Sequence, residues 1–144
     1  MALTKAKPKW NDIPPGAKIV VDTAPIIYVL EDHPVLAAQF AGLFEAEAAG
    51  RIQIAICVLT IAEVLAGPYR HGEDAIARRY EKALHRYEVI PVSADIAASA
   101  SRLRVRYSLK LPDAIQLATA VEIGAYALVT HDRDFTRVQG MLIL

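Results

Sequence analysis

Four acidic residues stand at positions from which their carboxylates could act together: Asp22, Glu63, Asp113 and Asp132. Asp22 and Asp132 each follow an apolar run typical of a buried strand, and Asp113 directly follows a proline that favours a helix start. Clustered carboxylates repel one another, so a folded protein tolerates them mainly by binding protons or cations. Oxygen ligands suit Mg²⁺ and Mn²⁺, and the chain has no cysteine or histidine pair at zinc spacing. The acids therefore favour hard-metal chemistry on phosphate groups.

Each acid also has a simpler structural interpretation. Asp22 could be the N-cap of the helix that follows it, and Thr60-x-x-Glu63 fits a capping box. Asp113 could favour the positive end of a helix dipole, and Asp132 could be a solvated turn residue. None of the four acids indicates a site by itself, and only their joint pattern does.

The hydrophobic pattern predicts an α/β fold, with a mainly parallel sheet of about five strands flanked by helices. The predicted strands cover residues 18–21, 51–57, 88–91, 127–130 and 141–144. The predicted helices cover residues 25–31, 34–49, 58–70, 72–86, 94–107 and 112–122. Ligands of open parallel sheets bind at the carboxyl ends of the strands. Asp22 and Asp132 would therefore emerge at the same edge of the sheet.

Composition limits the classes of function that need to be considered. The 144 residues suffice for one domain, and the hydrophobic share of 54% indicates a globular chain. Formal net charge is zero, so any contact with nucleic acid requires a local patch or a metal. Residues 1–17 are predicted to form a flexible tail before a domain over residues 18–144. A single cysteine, no secretory signal and no membrane-length apolar run together predict a soluble cytoplasmic protein.

Four sequence segments, in this order, resemble the motifs of PIN-domain proteins. They are IVVDT at 19–23, TIAE at 60–63, LPDAIQLATA at 111–120 and LVTHDRDF at 128–135. The last two segments are the more specific, and the resemblance spans residues 18–138. It points in particular to VapC-type toxin ribonucleases of bacterial toxin–antitoxin pairs. The resemblance implies a PIN-like fold and assigns Asp22, Glu63, Asp113 and Asp132 as catalytic residues and ligands of Mg²⁺ or Mn²⁺.

Further residues take auxiliary roles by the same resemblance. Thr130 and Thr23 would support the acids through their hydroxyls, and Asp134 would share or replace the role of Asp132. Basic side chains near the acids are candidates for contacts with RNA phosphates: Arg133, Arg106 and Lys110. A solvated helix face explains Arg106 and Lys110 equally well.

The resemblance implies a metal-dependent endoribonuclease that hydrolyses RNA with metal-activated water and leaves a 5′-phosphate. It also implies a homodimer and a small cognate antitoxin that blocks the site. The chain departs from the family at Ala24, where relatives usually have asparagine. Ala24 favours the alternative hypothesis, a catalytically degenerate PIN-like module that binds protein or RNA, whereas retention of all four acids opposes it. A haloacid-dehalogenase-like phosphatase would need an aspartate at position 24 and is excluded.

Overall fold

A five-stranded sheet forms the centre of the molecule, for which a computed structural model describes residues 10–144. Its strands are β1 (Lys18–Val21), β2 (Gln53–Cys57), β3 (Glu88–Ile90), β4 (Ala127–Val129) and β5 (Leu142–Ile143). Their spatial order is β3-β2-β1-β4-β5, and every neighbouring pair is parallel. The strand order therefore reverses beside the central strand β1, which is where parallel sheets usually bind ligands.

Within residues 10–144, six α-helices connect and cover the strands. They are α1 (Thr23–Leu30), α2 (Leu36–Ala48), α3 (Val58–Arg70), α4 (Asp74–Leu84), α5 (Ala94–Tyr107) and α6 (Leu111–Glu122). The described part of the chain also has two single-turn 3₁₀ helices, at Trp10–Asp12 and Arg133–Phe135. These elements confirm the predicted α/β class and all of the predicted strands and helices, with boundaries that move by two residues or fewer.

The strands are buried on both faces because helices cover the two sides of the sheet. In β1, Ile19 and Val21 belong to one core, which also contains Phe40 and Leu43 of α2. Val20 points to the opposite side and joins a second core built mainly on α5 and α6. This double coverage explains why the strands have continuous apolar sequences instead of alternating ones.

The segment before β1 differs from the predicted tail over residues 10–17. Trp10 and Ile13 are buried, and the Trp10 indole N–H donates to the carbonyl of Gln39 over 3.1 Å. The Trp10 ring packs at 5.9 Å from the ring of Phe40. A large aromatic ring gains free energy when it leaves water, and α2 offers an apolar surface beside it. Residues 10–17 therefore belong to the folded domain, whereas residues 1–9 of the predicted tail lie outside the described part.

Within residues 10–144, no helix is both long enough and apolar enough to span a bilayer.

Candidate active site

Asp22 occupies the carboxyl end of the central strand and begins α1 as its N-cap. Its backbone N–H donates to the carbonyl of Val129 over 2.9 Å, which ties it to the end of β4. Its Oδ1 accepts from the backbone N–H of Thr23 over 2.8 Å, and its Oδ2 accepts from the hydroxyl of Thr130 over 2.9 Å. The N-cap interpretation is therefore correct, and it leaves Asp22 at the edge of the sheet where a ligand would bind.

Burial raises the pKa of Asp22 above its ordinary value of 3.8. The hydrogen bonds from Thr23 and Thr130 act in the opposite direction, and the charge of Asp132 raises the pKa further. A cation bound at this position would stabilise the charged carboxylate. It would offset both the cost of removing the carboxylate from water and its repulsion by Asp132.

The loop after β4 supplies two more carboxylates. Thr130 Oγ1 accepts from the backbone N–H of Asp132 over 3.0 Å, and Asp132 Oδ1 accepts from the backbone N–H of Asp134 over 2.8 Å. Asp132 caps the 3₁₀ helix at Arg133–Phe135, and the fully buried Phe135 anchors it. The side chains of Asp132 and Asp134 remain exposed. The loop thus holds two acids with their backbone fixed and their charges accessible.

Asp113 completes a cluster with these two residues. It lies in the first turn of α6, and carboxylate oxygens of Asp113, Asp132 and Asp134 all lie within 4.8 Å of one another. The pKa of Asp113 is raised to about 6, most of all by partial burial and in addition by the charges of Asp132, Asp22 and Asp134. Lys110, at the N-cap of α6, lowers it. An all-oxygen donor set of mutually repelling acids fits a hard divalent cation.

Glu63 is on α3 and lies close enough to Asp22 to be affected by its charge. Its Oε1 accepts from the hydroxyl of Thr23 over 3.0 Å. Burial raises its pKa above 4.5, the Thr23 hydrogen bond lowers it, and the charge of Asp22 raises it. The charge of Asp22 raises the pKa of both Glu63 and Asp113, so Asp22 lies close to both acids. All four predicted acids are therefore brought to one region, with Asp134 as a fifth member.

The capping-box interpretation of Thr60 and Glu63 is wrong. Helix α3 begins at Val58 with Cys57 as its N-cap, so Thr60 lies inside the helix. Its hydroxyl is fully buried and contacts Thr23 and Gln116 instead of a backbone N–H at the helix start. Glu63 is therefore available for another role.

Sequence reasoning did not single out Gln116, which the structure places in contact with Thr60 and Thr23. A signal existed, since Gln116 is a polar residue in an otherwise apolar stretch of α6. It also lies one turn after Asp113, on the same side of the helix.

The three basic candidates have different surroundings, although all are exposed. Arg133 lies between Asp132 and Asp134 in the loop after β4. The Arg106 guanidinium stacks over the Tyr107 ring at 5.4 Å, near the end of α5. Of the three, Lys110 has an electrostatic effect on an acid of the cluster, Asp113.

The chain is similar to known proteins in both sequence and fold. The PIN domain family matches residues 19–141. A toxin–antitoxin complex from Klebsiella pneumoniae contains a chain with 31% identity and a TM-score of 0.69, covering 88% of this chain and 95% of that one. No curated protein sequence matches significantly.

Two further solved structures share the fold at lower identity. VapBC2 from Rickettsia felis, bound to a DNA fragment from its promoter, has 21% identity, a TM-score of 0.72 and coverage of 88% and 97%. VapC20 from Mycobacterium tuberculosis, a toxin that cleaves the sarcin–ricin loop, has 20% identity, a TM-score of 0.65 and coverage of 86% and 96%. In each pair of coverage values, the first is the covered share of this chain and the second is the covered share of the relative.

Proposed function

Since the chain belongs to the PIN-domain family, we propose that it is a metal-dependent endoribonuclease, the toxin of a toxin–antitoxin pair. The observation that carries this proposal is the cluster of Asp113, Asp132 and Asp134, with carboxylate oxygens within 4.8 Å of one another. Asp22 adds a buried carboxylate beside the cluster, at the end of the central strand. Such a concentration of negative charge is costly to fold unless a cation binds there.

The proposed ligands of Mg²⁺ or Mn²⁺ are Asp22, Asp113 and Asp132, directly or through water. Glu63 either holds a second cation or orients the attacking water. A bound cation would lower the pKa of a water molecule and stabilise negative charge on the phosphoryl oxygens. The chain itself fixes the acids: Thr23 and Thr130 hold the two oxygens of Asp22, and Asp134 adds charge beside Asp132.

The proposed reaction is hydrolysis of a phosphodiester. Water oxygen forms the new bond to phosphorus, the bond from phosphorus to the 3′-oxygen breaks, and that oxygen gains a proton. The products are a 5′-phosphate and a 3′-hydroxyl. The 2′-hydroxyl takes no part, so RNA is proposed from the similarity to toxins, among them one that cleaves the sarcin–ricin loop. Arg133 is the best-placed residue for a neighbouring phosphate, because it lies within the acidic loop.

A small antitoxin protein is the proposed partner. Support comes from the toxin–antitoxin complex that contains a chain with 31% identity. The match covers 95% of that chain's length. The acidic cluster would attract a basic side chain of such a partner, which would exclude cations from the site. A homodimer and a cytoplasmic location are proposed as well, the latter consistent with the single, buried Cys57.

The test is cleavage of a labelled RNA panel by purified, partner-free protein in Mg²⁺, Mn²⁺ or EDTA. Asp22→Asn and Asp113→Asn are compared with Glu122→Gln, an exposed acid at the opposite end of α6 from Asp113. The expected result is metal-dependent cleavage with 5′-phosphate ends, which both aspartate variants lose and the control retains.

Two other results would contradict the proposal. Equal cleavage by the wild type and both aspartate variants would identify the activity as a contaminant. Binding of Mn²⁺ and RNA without cleavage of any RNA in the panel would favour the degenerate binding module, which the alanine at position 24 also favours.

A further inference from the structure

A row of buried polar side chains lies beneath the candidate active site: Gln116, Thr60 and Thr23. Their exposed fractions are 1%, 0% and 7%. Each member is close in sequence to one of the acids. Gln116 follows Asp113 by one helical turn, Thr60 precedes Glu63 by one turn, and Thr23 adjoins Asp22. This polar row therefore connects three helices: α1, which Asp22 caps, α3, which carries Glu63, and α6, which carries Asp113.

The hydrogen bonds in the polar row have a defined direction. Gln116 Nε2 donates to Thr60 Oγ1 over 2.9 Å, because an amide nitrogen can donate a hydrogen bond but cannot accept one. Thr23 donates its only hydroxyl hydrogen to Glu63 Oε1 over 3.0 Å. The 3.2 Å contact between the two threonine hydroxyls is then donated by Thr60. The donors thus run from Gln116 through both hydroxyls to the carboxylate of Glu63, and Gln116 Nε2 also makes a longer 3.5 Å contact with Thr23 Oγ1 directly.

The amide of Gln116 is not explained by folding stability alone. Its Oε1 is buried and has no hydrogen-bond partner among residues 10–144. Leaving a buried acceptor without a partner destabilises the folded state, and an apolar side chain of similar size would avoid this. The amide therefore provides something that packing does not require, and its N–H donor is the part that has a partner.

We propose that Gln116 is a positioning residue for Glu63. With the amide donor in place, the Thr60 hydroxyl points to Thr23, and the Thr23 hydroxyl points to the Glu63 carboxylate. Without it, Thr23 is free to donate to Thr60 instead, and the exposed side chain of Glu63 loses the bond that fixes its orientation. This inference rests on the proposed function, in the form in which Glu63 holds a cation.

The first test replaces Gln116 with methionine, which has similar length and no donor. We measure Mn²⁺ affinity by calorimetry, thermal unfolding without metal, and kcat and KM on a cleaved RNA. We expect Gln116→Met to keep or raise the melting temperature and to weaken Mn²⁺ binding by about tenfold, as loss of a supporting hydrogen bond typically does. We also expect kcat to fall while KM for RNA stays unchanged.

Three comparison variants separate positioning from packing. Thr60→Ser keeps the hydroxyl and should bind Mn²⁺ like the wild type, whereas Thr60→Val should weaken binding. In the double variant Gln116→Met/Thr60→Val, the loss should equal that of one single variant, because both interrupt one chain. Thr119→Val removes a buried hydroxyl of α6 that donates to Ile115 and not to the polar row, so Mn²⁺ affinity should not change.

The results distinguish this inference from the function on which it rests. If the wild type neither binds Mn²⁺ nor cleaves RNA, both are overturned. If the wild type does both and Gln116→Met has the same Mn²⁺ affinity and kcat, only the positioning role is overturned. Additive losses in the double variant would also overturn it, since the two residues would then act independently.

Discussion

The hydroxyl of Thr130 donates a 2.9 Å hydrogen bond to Oδ2 of Asp22, which is 108 residues earlier in the chain. The same oxygen of Thr130 accepts the backbone N–H of Asp132 over 3.0 Å. One hydroxyl therefore fixes the acid at the end of β1 relative to the acid that follows β4. A substitution at Thr130 alone therefore tests whether the alignment of these two strand ends matters for the site.

Replacement of Thr130 by valine should reduce cleavage by about 10–100-fold, because a supporting hydrogen bond to Asp22, a proposed metal ligand, is lost. Thr130→Ser keeps the donor and should retain nearly full activity. Single-turnover cleavage at saturating RNA is the measurement. Equal rates for the valine and serine variants would show that the hydroxyl has no part in arranging the acids.

The raised pKa of Asp113 predicts how stability without metal depends on pH. This carboxyl titrates near 6 in the folded chain and ordinarily near 3.8, so between these values the folded state holds a proton that the unfolded state has released. The free energy of unfolding should therefore decrease as pH rises from about 4 to 6, and it should stay at the lower value above pH 6. Denaturation in EDTA should show a weaker decrease for Asp113→Asn, with Glu122→Gln as the control. A decrease of equal size in Asp113→Asn would contradict the prediction.

The same titration predicts the pH dependence of cation binding. At the proposed site a cation would compete with a proton for the Asp113 carboxylate, whose pKa is about 6, so Mn²⁺ affinity should rise with pH through about 6 and then level off. Calorimetric titrations between pH 5 and 8 measure this dependence. A constant affinity across that range would exclude Asp113 as a ligand.

The contact between Trp10 and Gly42 predicts a change of sign in a mutant cycle. A Cβ on Gly42 would lie 2.9 Å from Cδ1 of Trp10, so Gly42→Ala should destabilise the wild type despite the better helix propensity of alanine. In a Trp10→Ala background the obstacle is gone, and Gly42→Ala should then stabilise by about 0.5–1 kcal/mol. Trp10→Ala alone should cost about 3 kcal/mol. Urea denaturation of all four proteins is the measurement, and a stabilising Gly42→Ala in the wild type would contradict the packing described.

The exposed basic residues predict a difference in the salt dependence of RNA binding. If Arg133 contacts a phosphate, Arg133→Ala should lower the slope of log affinity against log salt by about 0.7–0.9. Asp22→Asn protein in Mn²⁺ allows this measurement without cleavage. Arg79→Ala, an exposed site on α4, is the comparison. Equal slopes for both variants would remove Arg133 from the proposed RNA surface.

Much of the fold could be predicted because the strands are apolar on both faces and the helices have clear starts and stops. The run at Ile19–Val21 ends at Asp22, and α5 was predicted with the bounds observed, Ala94–Tyr107. The acids could be placed at one edge because parallel strands share their carboxyl ends. This reasoning needs only sequence periodicity and the direction of the strands.

Features that depend on tertiary contacts were not predictable in this way. Trp10 lies in a segment rich in lysine and proline, and only the surface of α2 makes it a core residue. Thr60 fits a local capping pattern, but the helix starts at Val58 because β2 runs directly into it. The partner of Gln116 lies 56 residues earlier, so no local pattern could reveal their contact.

The placement of β4 beside β1 has a consequence during protein synthesis. Asp22, Glu63 and Asp113 leave the ribosome before β4 does, but the bridging hydroxyl and Asp132 belong to the segment that follows it. A growing chain that stops short of residue 130 therefore has no complete acidic cluster, and its central strand lacks one neighbour. If the chain is the ribonuclease proposed above, such an incomplete chain should not cleave RNA, and activity should arise only after nearly the whole domain has been made.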